Sequence, residues 1–168
     1  MNRILILITM FSFFGCGKNK TQKTDKDLSY NSEATSIELN IENEPSLMIL
    51  LHKDGTINRK GRGTEEIDND FYMGIQNDSL LSKLTKSITT DFQSLLNRVN
   101  DYPDKKGKTC MLEITLSDGK ETKGVRYTYG SESMGPPIPI ANYVNKAIEL
   151  TDPWYNEQVK MVENSKTE

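Results

Sequence analysis

From Thr35 to Glu42 the chain alternates strictly, with Ile37, Leu39 and Ile41 apolar and Ser36, Glu38, Asn40 and Glu42 polar around them. A period of two sends the apolar set to one side of an extended backbone, so the pattern predicts a strand with one buried face. Beyond Pro45, Leu47 to Leu51 is apolar at every position, as in a strand covered on both faces. Lys53-Asp54-Gly55-Thr56 supplies an Asp-Gly turn suited to a type I′ hairpin, and Thr56 to Lys60 is expected to return antiparallel. A second hairpin is marked by Cys110, Leu112, Ile114 and Leu116 alternating with Met111, Glu113, Thr115 and Ser117, followed by Asp118-Gly119. A two-residue loop there pairs Leu112 with Val125 and Cys110 with Tyr127, keeping the apolar groups of both strands on one face.

Between the hairpins the period changes. Leu80, Leu81, Leu84, Ile88, Phe92, Leu95, Leu96 and Val99 recur at helical spacing behind Asp78, which predicts one capped amphipathic helix, weakened at Thr89-Thr90 and ended by Tyr102-Pro103. Ile140, Val144, Ala147, Ile148 and Thr151 form another stripe, entered through Pro136, Pro137 and Pro139. Asp152-Pro153 then reads as a cap followed by a first-turn proline, opening a separate short helix through Trp154 and Val159. The expected fold class is α+β: an antiparallel sheet built from an N-terminal strand and two hairpins, with helices packed on one face. The folded domain is expected over residues 34–164, with a tail at 165–168.

The beginning of the chain has a different character. Met1-Asn2-Arg3 carries a positive charge, Ile4 to Phe14 is apolar apart from Thr9 and Ser12, and Gly15-Cys16 follows. The apolar run falls short of the roughly 20 residues that span a bilayer and suits the core of a secretory signal. The segment resembles the lipobox of bacterial lipoproteins, in which a small residue precedes the cysteine that becomes the lipidated first residue. The resemblance covers residues 1–16. It implies removal of residues 1–15, acylation of Cys16 and attachment to a membrane of the bacterial cell envelope through that lipid. Gly17 does not match the aspartate retention signal of enteric lipoproteins, which favours the outer membrane if the source is Gram-negative. Residues 16–33 are rich in lysine and poor in apolar groups, a composition expected of a tether.

Composition narrows the function classes. The 168-residue chain has 21 basic and 24 acidic residues, a mild acidity that argues against nucleic acid as a partner. With Cys16 taken by lipid, Cys110 is the only remaining cysteine, so the domain depends on its apolar core instead of an internal disulfide. One histidine, His52, and one free thiol offer no metal-ligand spacing, and no metal or cofactor is expected. Cys110 lies in phase with Leu112 and reads as a small core residue.

Two segments carry candidate chemistry. Gly130-Ser131-Glu132-Ser133-Met134-Gly135 contains two serines without the Gly-x-Ser-x-Gly spacing of a nucleophile elbow. Together with Tyr127, Tyr129, Pro136 and Pro137, the residues Ser131, Ser133 and Met134 make a candidate binding surface, rigid and partly aromatic, for an envelope protein partner. The alternative is a hydrolase that uses Ser131 or Ser133. Lys53, Arg59 and Arg62 around the first hairpin form a candidate anion-binding cluster, followed at once by the acidic residues Glu65, Glu66, Asp68 and Asp70. The reading that emerges is a lipid-anchored envelope protein with a non-catalytic binding or structural domain.

Overall fold

The computed structural model describes residues 31–64, 69–76 and 79–166. The leader, Cys16 and most of the tether lie outside the described residues, as do Glu65, Glu66, Asp68 and Asp78. Among the described residues seven strands form one sheet: β1 (Ala34–Ile41), β2 (Glu44–His52), β3 (Thr56–Lys60), β4 (Phe71–Ile75), β5 (Arg98–Asp101), β6 (Thr109–Ser117) and β7 (Thr122–Gly130), in the order β4-β3-β2-β1-β6-β7-β5. The helices are α1 (Ser79–Thr85), α2 (Thr90–Leu95) and α3 (Ile138–Ser165). The fold is α+β. The sheet is mixed, because β5 runs parallel to β7 while every other pair is antiparallel.

The period-two pattern explains which face is buried. Ile37, Leu39 and Ile41 of β1, Leu47, Ile49 and Leu51 of β2, and Leu112, Ile114 and Leu116 of β6 form one core with Phe92, Ile140, Tyr143, Ala147 and Tyr155 of the helices. The intervening polar residues occupy the opposite face, where Arg126 reaches Glu113 at 2.8 Å. Thus β2, whose run of apolar residues predicted cover on both sides, is covered on one: Met48 and Leu50 sit on the open face, half-buried.

The turns differ from expectation in instructive ways. The type I′ geometry belongs to Glu42 and Asn43, at φ 52° and 68°, between β1 and β2. Neither is glycine, so nothing in the local sequence announced that hairpin, and Pro45 is accommodated inside β2 beside a register shift at Leu39/Asn40. At Lys53-Asp54-Gly55 the loop has three residues and Gly55 alone takes positive φ, at 91°. The second hairpin also has a longer loop than expected. Asp118 Oδ1 accepts from the backbone N–H groups of Lys120 and Glu121 at 2.9 and 2.8 Å, which closes a four-residue turn. The register therefore moves by two: Leu112 faces Tyr127, Ile114 faces Val125 and Cys110 faces Tyr129. A shift of two preserves the faces, so the buried set is as expected.

The single helix expected over Leu80–Val99 is two short helices and a strand. Thr89 accepts a hydrogen bond from Phe92 N at 3.1 Å and caps a new helix, and Asn97 at φ 62° turns the chain out of it. Val99 then lies in β5, 74 % exposed. Conversely, the two C-terminal helices expected around Asp152-Pro153 are one, with Pro153 inside α3. Proline removes one helical N–H and crowds the carbonyl four residues back, here that of Glu149, and the adjoining turn is tied to the sheet from outside the helix. Buried Arg59 of β3 donates from Nη1 to Ile148 O at 3.2 Å and to Thr151 Oγ1, and its Nη2 lies 2.7 Å from Asp152 Oδ1 without a linear hydrogen bond. Its guanidinium also sits 4.9 Å from the centre of the Tyr155 ring. Asp152 is therefore an ion-pair partner and not a helix cap.

Candidate functional site

A cleft outside the core arises from how the chain leaves β5. This strand lies outside β7, yet the next strand, β6, lies inside it. Residues 102–108 must therefore pass across the end of β7. They do so at Gly130, where a Cβ would stand 2.1 Å from Lys106 O and 2.3 Å from Lys106 N. The crossing is held by the backbone: Tyr102 N donates to Thr128 O at 2.9 Å, Ser131 N to Lys108 O at 2.8 Å and Glu132 N to Lys106 O at 2.9 Å. Between the crossing segment and residues 132–134 is a cleft of about 380 Å³, lined by Tyr102, Pro103, Asp104, Lys106, Glu132, Ser133 and Met134. That volume falls in the range of small-ligand sites.

Both serines are committed to shaping this cleft. Ser133 Oγ accepts from Gly130 N at 3.0 Å and donates to Gly130 O at 2.9 Å, closing the turn after β7. Ser131 Oγ accepts from Lys108 N at 3.0 Å. His52 lies in the row of Ala34, Ser117 and Thr122, at the other end of the strands. At about 3.3 Å per residue along β7, that is on the order of 25 Å from either serine. The geometry pairs neither hydroxyl with the histidine, which instead holds its own turn through Asp54 at 2.9 Å.

The remaining residues of the sequence-derived surface divide between core and rim. Tyr127 is 1 % exposed and belongs to the core, because it shares a face with Val125 and Leu112; it is not part of the surface. Its ring stacks on Tyr102 with centroids 6.2 Å apart, so it supports the cleft from behind. Tyr129 is half-buried next to Cys110, and burial pushes its phenol up to about 12. Met134 stands at the rim, 85 % exposed. Pro136 is half-buried, and Pro137 is the N-cap position of α3. Tyr102, Pro103, Asp104 and Lys106 were absent from the sequence-derived surface; with the segment read as the end of a helix, nothing placed it against the Ser133 turn.

The basic cluster does not assemble. Lys53 reaches Glu33 at 3.2 Å on the surface, while Arg59 turns into the core towards Asp152, and Arg62 is itself engaged. Burial pulls the Arg59 guanidinium below its ordinary range, and Asp152 partly restores it. Among the described residues no group of three or more histidine, cysteine, aspartate or glutamate side chains is placed to hold a metal ion.

The Tyr127 hydroxyl is buried and without a hydrogen-bond partner among the described residues, whereas that of Tyr143 meets Thr35 Oγ1 at 3.1 Å. Removing an unpaired buried hydroxyl recovers its desolvation cost, while removing a paired one strands its partner. Tyr127→Phe is therefore expected to leave stability unchanged or raise it by about 1 kcal/mol, and Tyr143→Phe to lower it by about 1–2 kcal/mol. Urea denaturation of the two variants checks the contrast, and equal losses would contradict it. No protein-family model matches the chain, and no curated protein compared with it is significantly similar in sequence.

Proposed function

We propose that this protein is a bacterial lipoprotein, acylated on Cys16, whose α+β domain is a non-catalytic binding module displayed on the cell envelope. The anchoring half rests on the charged start, the apolar stretch and Gly15-Cys16. The binding half is carried by one observation: the cleft between residues 102–106 and 132–134 lies at the end of the sheet remote from the start of β1, where the tether arrives. A domain hung from its tether in this way offers the cleft to partners away from the membrane. Serines whose hydroxyls are spent on backbone groups favour recognition over hydrolysis. The partner we infer is an envelope protein, with Tyr102 and Met134 as apolar contacts.

Metabolic labelling with a fatty-acid analogue is expected to mark the wild type and not Cys16→Ala; equal labelling would remove the anchor from the proposal. Met134→Glu is expected to abolish capture of a partner from envelope extract while leaving the melting temperature unchanged, because the side chain is exposed. If instead Ser133→Ala abolished turnover of an ester or peptide substrate by the wild type, the binding reading would fail and the hydrolase would replace it.

A further inference from the structure

The two edges of the sheet are built differently. At one edge, β5 carries Arg98 and Asp101, the charged residues that usually discourage edge pairing. At the other, β4 reads Phe-Tyr-Met-Gly-Ile, with no charge and no proline, and among the described residues pairs only with β3. Its side chains are held in place on the helix face: Tyr72 meets Tyr155 edge-on at 5.5 Å, and a Cβ at Gly74 would come within 2.9 Å of the Trp154 ring. On the open face Phe71, Met73 and Ile75 are 45, 70 and 81 % exposed.

The path of α3 adds a roof. Tyr143 touches Thr35 of β1, Arg59 of β3 binds Thr151, and Trp154 lies over Gly74 of β4, so the helix crosses the strands and continues past the last of them. Ten residues separate Tyr155 from the end of α3 at Ser165, about 15 Å of helix beyond β4. The apolar stripe that packs on the sheet continues towards the end of the helix: Thr151 and Tyr155 are succeeded at helical spacing by Val159, still partly buried against the core, and then by Val162 and the neighbouring Met161, 37 and 51 % exposed. A strand spacing is only about 4.8 Å. The helix thus presents a sheet-facing stripe where the sheet has no strand among the described residues.

We propose that this slot accepts an added β-strand: an extended, uncharged polypeptide segment of a partner protein. It pairs through its backbone with the edge of β4, and its side chains alternate between Phe71, Met73 and Ile75 on the open face and the end of α3, at Val159 and Val162, on the other. The neutral edge matches an uncharged occupant. A second copy of this chain fits less well. The exposed apolar side chains amount to about 500 Å² at roughly 200 Å² for each fully exposed one, short of the ~800 Å² per partner of a stable dimer. In addition, α3 crosses β4 near its middle, so two copies joined edge to edge about a two-fold axis would drive their helices into the same space. The tether sequence from Gly17 to Asn31 contains no alternating apolar run.

The test uses the full-length chain in mild detergent and an uncharged synthetic peptide, acetyl-Thr-Val-Thr-Val-Thr-Val-Thr-amide. Trp154 is the only tryptophan and sits above Gly74, so its fluorescence reports on the slot. Saturable binding below about 1 mM is expected, weakened about tenfold when alternate peptide amides are N-methylated, and weakened again in Val162→Lys. Since Val162 is partly exposed, that variant is expected to keep the wild-type melting temperature, which separates lost binding from lost folding. No saturable response, or equal affinity for the N-methylated peptide, would overturn the proposal. So would a dimer in sedimentation equilibrium that Met73→Lys dissolves, because the slot would then belong to a second copy. None of these outcomes depends on Cys16 or on the cleft.

Discussion

Replacing Arg59 with alanine is expected to cost about 3–5 kcal/mol of stability, the range for deleting a large buried side chain and leaving its acceptors without a donor. Three losses combine. A side chain with no exposed surface vanishes from beneath α3, leaving a cavity beside Tyr155. Thr151 Oγ1 and Ile148 O lose their donor in the turn where Pro153 already removes a helical N–H. Asp152 loses its counter-charge, although at 46 % exposure it regains water and contributes least. The ranking predicts that Arg59→Met, which fills most of the volume, recovers about half of the loss, whereas Asp152→Asn costs only about 1 kcal/mol. Chemical denaturation of the three variants is the measurement. A loss below about 1.5 kcal/mol for Arg59→Ala would mean that α3 is held by its apolar stripe alone.

Gly130→Ala is expected to be the next most damaging small change, at about 3 kcal/mol, the upper end of ordinary overpacking. Its backbone φ is unremarkable; what it lacks is room. The methyl group would enter the backbone of Lys106, which cannot rotate aside as a side chain could. The crossing segment must lift off β7, breaking the bonds from Ser131 N to Lys108 O and from Glu132 N to Lys106 O that close the cleft. Gly55→Ala, which also meets a backbone oxygen at Gln76, provides a control with the same kind of clash remote from the cleft. Amide exchange should accelerate at residues 102–108 in Gly130→Ala and not in Gly55→Ala, and acceleration confined to neither segment would count against a local cause.

What the sequence displayed was periodicity, and the period of two was a better guide than the helical one, which ran through Val99 into what is β5. The buried faces of β1, β6 and β7 follow from alternation, even though the second hairpin is registered two residues away from the expected pairing. Cys110 is buried, as its phase with Leu112 implied. Sequence reading stopped at features decided by distant contacts. Glu42 and Asn43 adopt a turn conformation favoured by glycine because the strands on either side find partners. Val99 continues the helical spacing of Leu95 and Leu96, yet Asn97 diverts the chain to the edge of β7. Asp152-Pro153 has the local signature of a helix start, overridden by Arg59 more than 90 residues earlier in the chain. The cleft was half visible: Ser133 and Met134 were on the candidate surface, while its other wall depends on the parallel strand that periodicity had assigned to a helix.

That parallel strand also sets the order in which the structure can assemble. Hairpin β6–β7 joins neighbours in sequence, but β5 can dock only after β7 exists, with residues 102–108 drawn across its end. A four-residue strand at the sheet edge is expected to open before the central strands do. Its release would uncover Tyr127 and withdraw Tyr102, Pro103, Asp104 and Lys106 together, while the β1–β2–β6 core stayed shut. One wall of the cleft is then expected to open independently of its floor, and a partner that grips both walls would gain affinity in proportion to how often the unbound protein keeps them together.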